Sequence, residues 1–340
     1  QLVKVYPDSQ KEAEDAVRDG VLTNSDSDVV LKSGLMLFRI EDLWNDTRAN
    51  ANIISILQGY SDPRLERWFA TNNADIYSTD DELSPVVEKA TKYLGVRQGV
   101  PMTRTEYQGY SKTSRVGIPE QGPRPVLRVA EAYFLRAEGM LRNWNMGDGT
   151  PESLYNEGIH SAWASVLGDE SGWAGTYESY INGFINTEEG GDFDWELFEG
   201  GFGSAPYINY RNQEYNYYIE ENGKQVGINR ISVRWHDEDS PEKKLQRIIT
   251  QKWISFFPTL SSVAWTEYRR TGYPKLIPIP SDLNYSNGAI DTELQIRRLP
   301  FTQSEYRGNT EEVNKALGLL KGPDNGGTRL WWDVDKGNFE

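Results

Sequence analysis

The chain has 340 residues, enough for one large or two ordinary domains, with 37% hydrophobic and 12% aromatic residues, 11 Trp and 19 Tyr among them. A net charge of −15 argues against phosphate backbones, so nucleic acid is not an expected partner. Zero cysteines exclude disulfides, thiolate metal sites and a cysteine nucleophile, and no run of about 18 apolar residues offers a membrane span.

Gln1-Leu2-Val3-Lys4-Val5-Tyr6 carries no initiator Met, no basic region and no apolar stretch, which points either to a removed targeting segment or to a fragment. Ser9 to Arg18 reads as a helix ending near Gly20. Val29 to Ile40 is apolar, broken by Gly34, and reads as strand or loop. Arg48 to Leu57 is predicted as a helix with Ile53, Ile54 and Leu57 inward, stopped by Gly59 and Asp62-Pro63. Ser84-Pro85 opens another through Tyr93, closed at Gly95. Residues 95 to 124 are loop-rich and hold Tyr107 and Tyr110.

The centre of the chain, Pro125 to Gly168, is predicted to be a helical hairpin. Leu127, Ala130, Phe134, Ala137 and Leu141 form one apolar stripe, and its alanines leave room for a close partner. The turn is Asn145-Met146-Gly147-Asp148-Gly149. Thr150 caps the second helix, Pro151 takes its first position, and Tyr155, Ile159, Ala162 and Val166 form its stripe. Such a hairpin resembles one tetratricopeptide unit, which needs neighbours to bury its apolar face.

Gly172 to Asn182 reads as a third helix. Residues 183 to 239 are the least regular segment, too aromatic for disorder and long enough to suggest function. Ser240-Pro241 starts a helix carrying Leu245, Ile248, Ile249 and Phe256, and a short helix follows over Val263 to Tyr268. Asn309 is predicted to cap Thr310 to Leu320 with Glu312 at the capping-box position. Trp331-Trp332 is expected to plug the core at the end of the chain.

Sugars offer apolar C–H faces to aromatic rings and hydroxyl edges to amides, carboxylates and guanidiniums. Trp195, Tyr207, Tyr210, Tyr215 and Tyr217, interleaved with Asn209, Arg211, Asn212 and Asn216, supply both, with Tyr107 and Tyr110 as second choices. The alternative is that these rings pack the loops onto the scaffold. Arg269-Arg270 and Arg297-Arg298 are expected to form buried structural pairs, with a ligand-carboxylate clamp as the other reading. Glu188, Glu189, Asp192, Asp194, Glu196 and Glu199 share one loop where oxygen ligands can hold calcium, but the spacing matches no EF-hand and acidic runs are usually solvated. No other cofactor is expected. His160 and His236 form no zinc pattern.

Several phrases occur in order: Asp62-Pro63-Arg64-Leu65; Leu127 to Glu138; Gln251-Lys252-Trp253-Ile254; Trp265 to Pro274; Arg297-Arg298-Leu299-Pro300-Phe301; and the terminal Trp-Trp-Asp. Together they resemble the SusD/RagB family of outer-membrane nutrient-binding lipoproteins, over essentially the whole chain. The resemblance implies a mainly α fold, with tetratricopeptide-type hairpins and a large irregular ligand-side region at 183–239, all in one domain over 1–340 that lacks its N-terminal part. It also implies a non-catalytic protein, lipid-anchored at the cell surface through an absent N-terminal segment. Such a protein captures an oligosaccharide, or in some branches a peptide, for a SusC-like TonB-dependent transporter. A glycoside hydrolase and a purely structural helical adaptor are the competing readings, since acidic and aromatic residues alone also describe hydrolases.

Overall fold

The computed structural model describes residues 3–31, 47–60, 62–71, 93, 95–96, 98–99, 101, 103, 107–108, 110–112, 124–167, 218–221, 224–227, 231, 233–279 and 283–340. Among them the chain is helix-rich, as predicted. The helices are α1 (Ser9–Arg18), α2 (Ala51–Gly59), α3 (Arg64–Trp68), α4 (Val129–Leu141), α5 (Pro151–Leu167), α6 (Pro241–Ser255), α7 (Ser261–Thr271), α8 (Gln303–Gly308) and α9 (Thr310–Leu317). The strands pair as two short antiparallel ribbons, β1 (Val29–Leu31) with β2 (Arg124–Leu127) and β3 (Tyr218–Glu221) with β4 (Lys224–Gly227). No helix among the described residues is long and apolar enough to cross a membrane. The predicted helices at 84–93 (Tyr93 excepted) and 172–182 lie outside the described residues.

The helical hairpin is α4 against α5, and α6 packs across both. Ala130, Phe134 and Ala137 of α4 and Tyr155, Ile159 and Ala162 of α5 are all buried in one core with Ile53, Ile54 and Leu57 of α2. Small residues at the seam let the backbones approach. Arg136, itself buried, fixes the turn by donating from Nε to the Met146 carbonyl (2.8 Å) and from a terminal nitrogen to that of Asp148 (2.7 Å). Thr150 caps α5 as predicted, its Oγ1 accepting the Ser153 N–H at 3.1 Å.

Leu127 departs from the predicted stripe. It lies in β2, paired with Val29, and is 41% exposed. α4 starts two residues later because Asp28, a hundred residues upstream, accepts the Val129 N–H (2.8 Å) and binds Arg128 (3.3 Å). A carboxylate at a helix N-terminus satisfies an orphan donor and opposes the dipole. α2 starts at Ala51 rather than Arg48, with the Asn50 side chain accepting the Asn52 N–H at 2.8 Å.

Ser240 caps α6 through its Oγ and the Lys243 N–H, with Pro241 in the first turn. Leu245, Ile248, Ile249 and Phe256 are buried as predicted, but so are Arg247 and Lys252, so α6 is enclosed on more than one face. α7 runs longer than predicted and ends at Gly272, whose φ of 78° is a left-handed cap that glycine adopts without strain. Asn309 makes no side-chain cap to α9, and Glu312 pairs instead with Lys315 (2.7 Å). Long-range ties close the molecule: the Asn52 Oδ1 accepts the Ile277 N–H at 2.7 Å, 225 residues away.

Candidate functional site

Trp195, Tyr207, Asn209, Tyr210, Arg211, Asn212, Tyr215, Asn216 and Tyr217 lie outside the described residues, as does the acidic cluster from Glu188 to Glu199. What is described is how their segment is rooted. Tyr218–Glu221 pairs with Lys224–Gly227, Tyr218 opposite Gly227 and Ile219 opposite Val226. Sequence reasoning missed this ribbon, although the intervening Asn222-Gly223 is a strong two-residue hairpin signal. Beyond it Ile231 and Val233 are fully buried. The Tyr60 hydroxyl, just past α2, donates to the Ile231 carbonyl, and the Tyr155 hydroxyl of α5 donates to that of Val233, both at 2.7 Å. Trp235 packs on Tyr155 with ring centroids 5.4 Å apart. Two buried phenols therefore clamp the C-terminal root of the irregular segment to the helical core.

Removing one clamp leaves a buried carbonyl without its partner. Tyr155→Phe is expected to cost about 1–3 kcal/mol in urea unfolding while leaving the α4–α5 packing intact.

Tyr107 and Tyr110 fall beside the 47–50 segment. The Arg48 guanidinium sits 5.3 Å from the Tyr107 ring centroid and donates from Nε to the Tyr107 carbonyl at 3.1 Å. Tyr110 is only 5% exposed, so its ring belongs to the packing, while Tyr107 keeps part of its surface.

The arginines form buried ion pairs, as expected for three of the four. Glu138 of α4 accepts two hydrogen bonds from Arg270 (2.6 and 2.7 Å) and two from Arg142 (2.8 and 3.2 Å), and Arg270 also reaches Glu267 (2.6 Å). Lys252 sits 3.6 Å from Glu267 and 3.8 Å from Glu131. Burial acts to raise the Glu138 carboxyl, but Arg270 and Arg142 outweigh it and hold the group well below the ordinary glutamate range. Glu131 moves the other way: burial lifts it more than Lys252 lowers it. Arg298 pairs with Asp324, and Arg297 grips Asp333 with Nε (2.6 Å) and a terminal nitrogen. Arg269 is the exception: among the described residues its guanidinium meets no carboxylate and donates to the Arg297 carbonyl.

Trp331 and Trp332 do not plug the core. They are 69% and 37% exposed, set edge to face with centroids 5.4 Å apart. Asp333 and, further on, Asn338, which bonds Glu242, Thr271 and Arg142, anchor the terminus, and the tryptophans are left on the surface. Trp332 lines a cleft of about 420 Å³ between α7 and the C-terminal segment, with Arg269, Arg297, Arg329, Lys4 and Lys336. Among the described residues no three His, Cys, Asp or Glu side chains group to hold a metal.

A family model described as "SusD-like: Susd and RagB outer membrane lipoprotein" matches residues 1–179 and 202–333. Among solved structures, a chitin-binding SusD homolog from Flavobacterium johnsoniae is 34% identical with a TM-score of 0.72, the match covering 99% of this chain and 61% of that one. A SusD homolog from Bacteroides vulgatus is 32% identical (TM-score 0.71; 97% of this chain and 59% of that one). One from Bacteroides ovatus is 30% identical (TM-score 0.72; 98% and 62%). This chain thus spans about three-fifths of the length of the solved structures it matches. No curated protein matches it.

Proposed function

The chain belongs to the SusD/RagB family of outer membrane lipoproteins, and on that premise we propose that it binds an oligosaccharide at the cell surface and delivers it to a SusC-like TonB-dependent transporter. One observation carries the reading: along 99% of its length the chain is 34% identical to a homolog described as chitin-binding. β-Linked N-acetylhexosamine oligosaccharides are therefore the first ligands to test. The chain acts as a binder without catalysis, held at the outer membrane as a lipoprotein.

The clamped root of residues 183–239 supports placing the ligand contacts on that segment, with Trp195 and Tyr210 as stacking platforms for sugar faces and Asn209, Arg211 and Asn212 for hydroxyls. Calorimetry with chitin oligosaccharides is expected to give saturable binding and no cleavage products. Trp195→Ala or Tyr210→Ala is expected to weaken it by about 1–3 kcal/mol, the scale of a stacked ring. Parent-like affinity in both variants would move the contacts elsewhere. Turnover of the oligosaccharide would instead favour a hydrolase.

A further inference from the structure

The cleft beside α7 has a charge opposite to that of the protein. Its lining brings Arg269, Arg297, Arg329, Lys4 and Lys336 together against Asp333, Asp335 and Glu293, while its remaining cation, Arg270, is spent on Glu138 and Glu267. Only Asp333 among those acids is buried; Asp335, 91% exposed, pairs with Arg329 at 3.1 Å, and Glu293 faces water. Asp333 is shared by two guanidiniums, Arg297 on one side and Arg329 at 3.4 Å on the other. Arg269 adds a third with no carboxylate of its own among the described residues. It and Arg297 exchange hydrogen bonds through their backbone carbonyls, and its buried Nε has no hydrogen-bond partner among the described residues. Burial and the neighbouring Arg297 both push the Arg269 guanidinium below its ordinary range.

A clustered excess of guanidinium charge is costly unless something neutralises it. Arginine forks match planar carboxylates, and charge-assisted bonds of this kind are the strong ones. Trp332, 37% exposed, lines the same space, and an indole is the kind of group on which a pyranose stacks. A volume of about 420 Å³ falls within the range of small-molecule sites. The protein's overall negative charge does not bar an anion, because its field is screened within about 8 Å at physiological salt.

We propose that this cleft is a second ligand site, specific for a carboxylate-bearing sugar: the carboxylate seats against Arg269 and its neighbouring cations, and the pyranose face lies on Trp332. No residue of 183–239 is among the described residues that line it, and the proposal does not depend on any ligand contact in that segment.

The test compares digalacturonate with its methyl ester, titrated into the whole chain by calorimetry and tryptophan fluorescence. The expected result is saturable binding of the acid, at least about tenfold weaker binding of the ester, and weakening with added salt. Arg269→Gln and Trp332→Ala should each weaken the acid about tenfold without altering chitin-oligosaccharide binding. Lys336→Glu, at an exposed position, should weaken it too and serves if Arg269→Gln fails to fold by circular dichroism. Equal binding of acid and ester overturns the proposal, as does acid affinity unchanged in Arg269→Gln and Lys336→Glu. So does equally tight binding of tetraglutamate, which would make the cleft a peptide site, or of inorganic phosphate, which would make it a general anion site.

Discussion

Glu138→Ala should destabilise the fold by about 3–5 kcal/mol, read as a lower midpoint in urea unfolding. The carboxylate joins α4 to α7 and to its own helix's end through Arg270 and Arg142, and all three side chains are at most 10% exposed. Truncation leaves two guanidiniums in a dry site with one acid, Glu267, to serve Arg270. Replacing the pair by apolar groups of similar size, Glu138→Leu with Arg270→Met, should recover part of the loss, because it removes one of the two stranded guanidiniums while Arg142 remains. The same group predicts a pH dependence. The Glu138 carboxyl lies below its ordinary value of 4.5 in the folded state, so its contribution is complete above that value and disappears as pH falls below it towards the lower folded one. Glu267 is lowered as well and acts in the same window, whereas Glu131, raised by burial, opposes them. The double apolar variant should accordingly lose less stability than the parent between neutral pH and pH 3.

The second large effect is at the hairpin seam. Phe134→Ala is expected to cost about 3–5 kcal/mol, since the ring is fully buried and touches the Tyr155 side of α5 at a centroid distance of 6.3 Å. Opposite it, a Cβ added at Gly158 would lie 2.7 to 2.9 Å from three Phe134 ring atoms. Gly158→Ala alone should therefore cost about 1–3 kcal/mol by overpacking. Combined, the two changes should cost less than their sum, because the smaller residue at 134 vacates the space the new methyl needs. Strict additivity in urea unfolding would mean that the two positions do not meet as described.

The seam was legible because its signal is local: Ala130, Phe134 and Ala137 recur at helical spacing, and Thr150-Pro151 and Ser240-Pro241 announce helix starts that the structure contains. Leu127 was misassigned because it continues the same spacing, and what removes it from the helix is Asp28 and a strand a hundred residues upstream. Asn309 carries the right side chain for a cap, but at φ −141° and ψ 36° it makes no cap hydrogen bond. Trp331 and Trp332 show that a large apolar side chain need not be interior; the rule that buried residues are apolar does not run backwards. For the candidate site, sequence supplied the residue types: rings and amides in one segment, arginines in pairs. It could not supply Tyr60 and Tyr155 as clamps, or the convergence of Arg269, Arg329 and Lys4, because these depend on contacts far apart in the chain.

The bond from Ile277 to the Asn52 side chain also has a meaning in time. Synthesis at about 5–20 residues per second takes on the order of ten to forty-five seconds to cover the 225 residues between them. For most of that interval Ile53, Ile54 and Leu57 exist without Ile248 and Ile254, two members of the core in which they end up buried. A nascent chain with this wiring is a natural client for holdase chaperones, and its yield should depend on them more than its finished stability suggests.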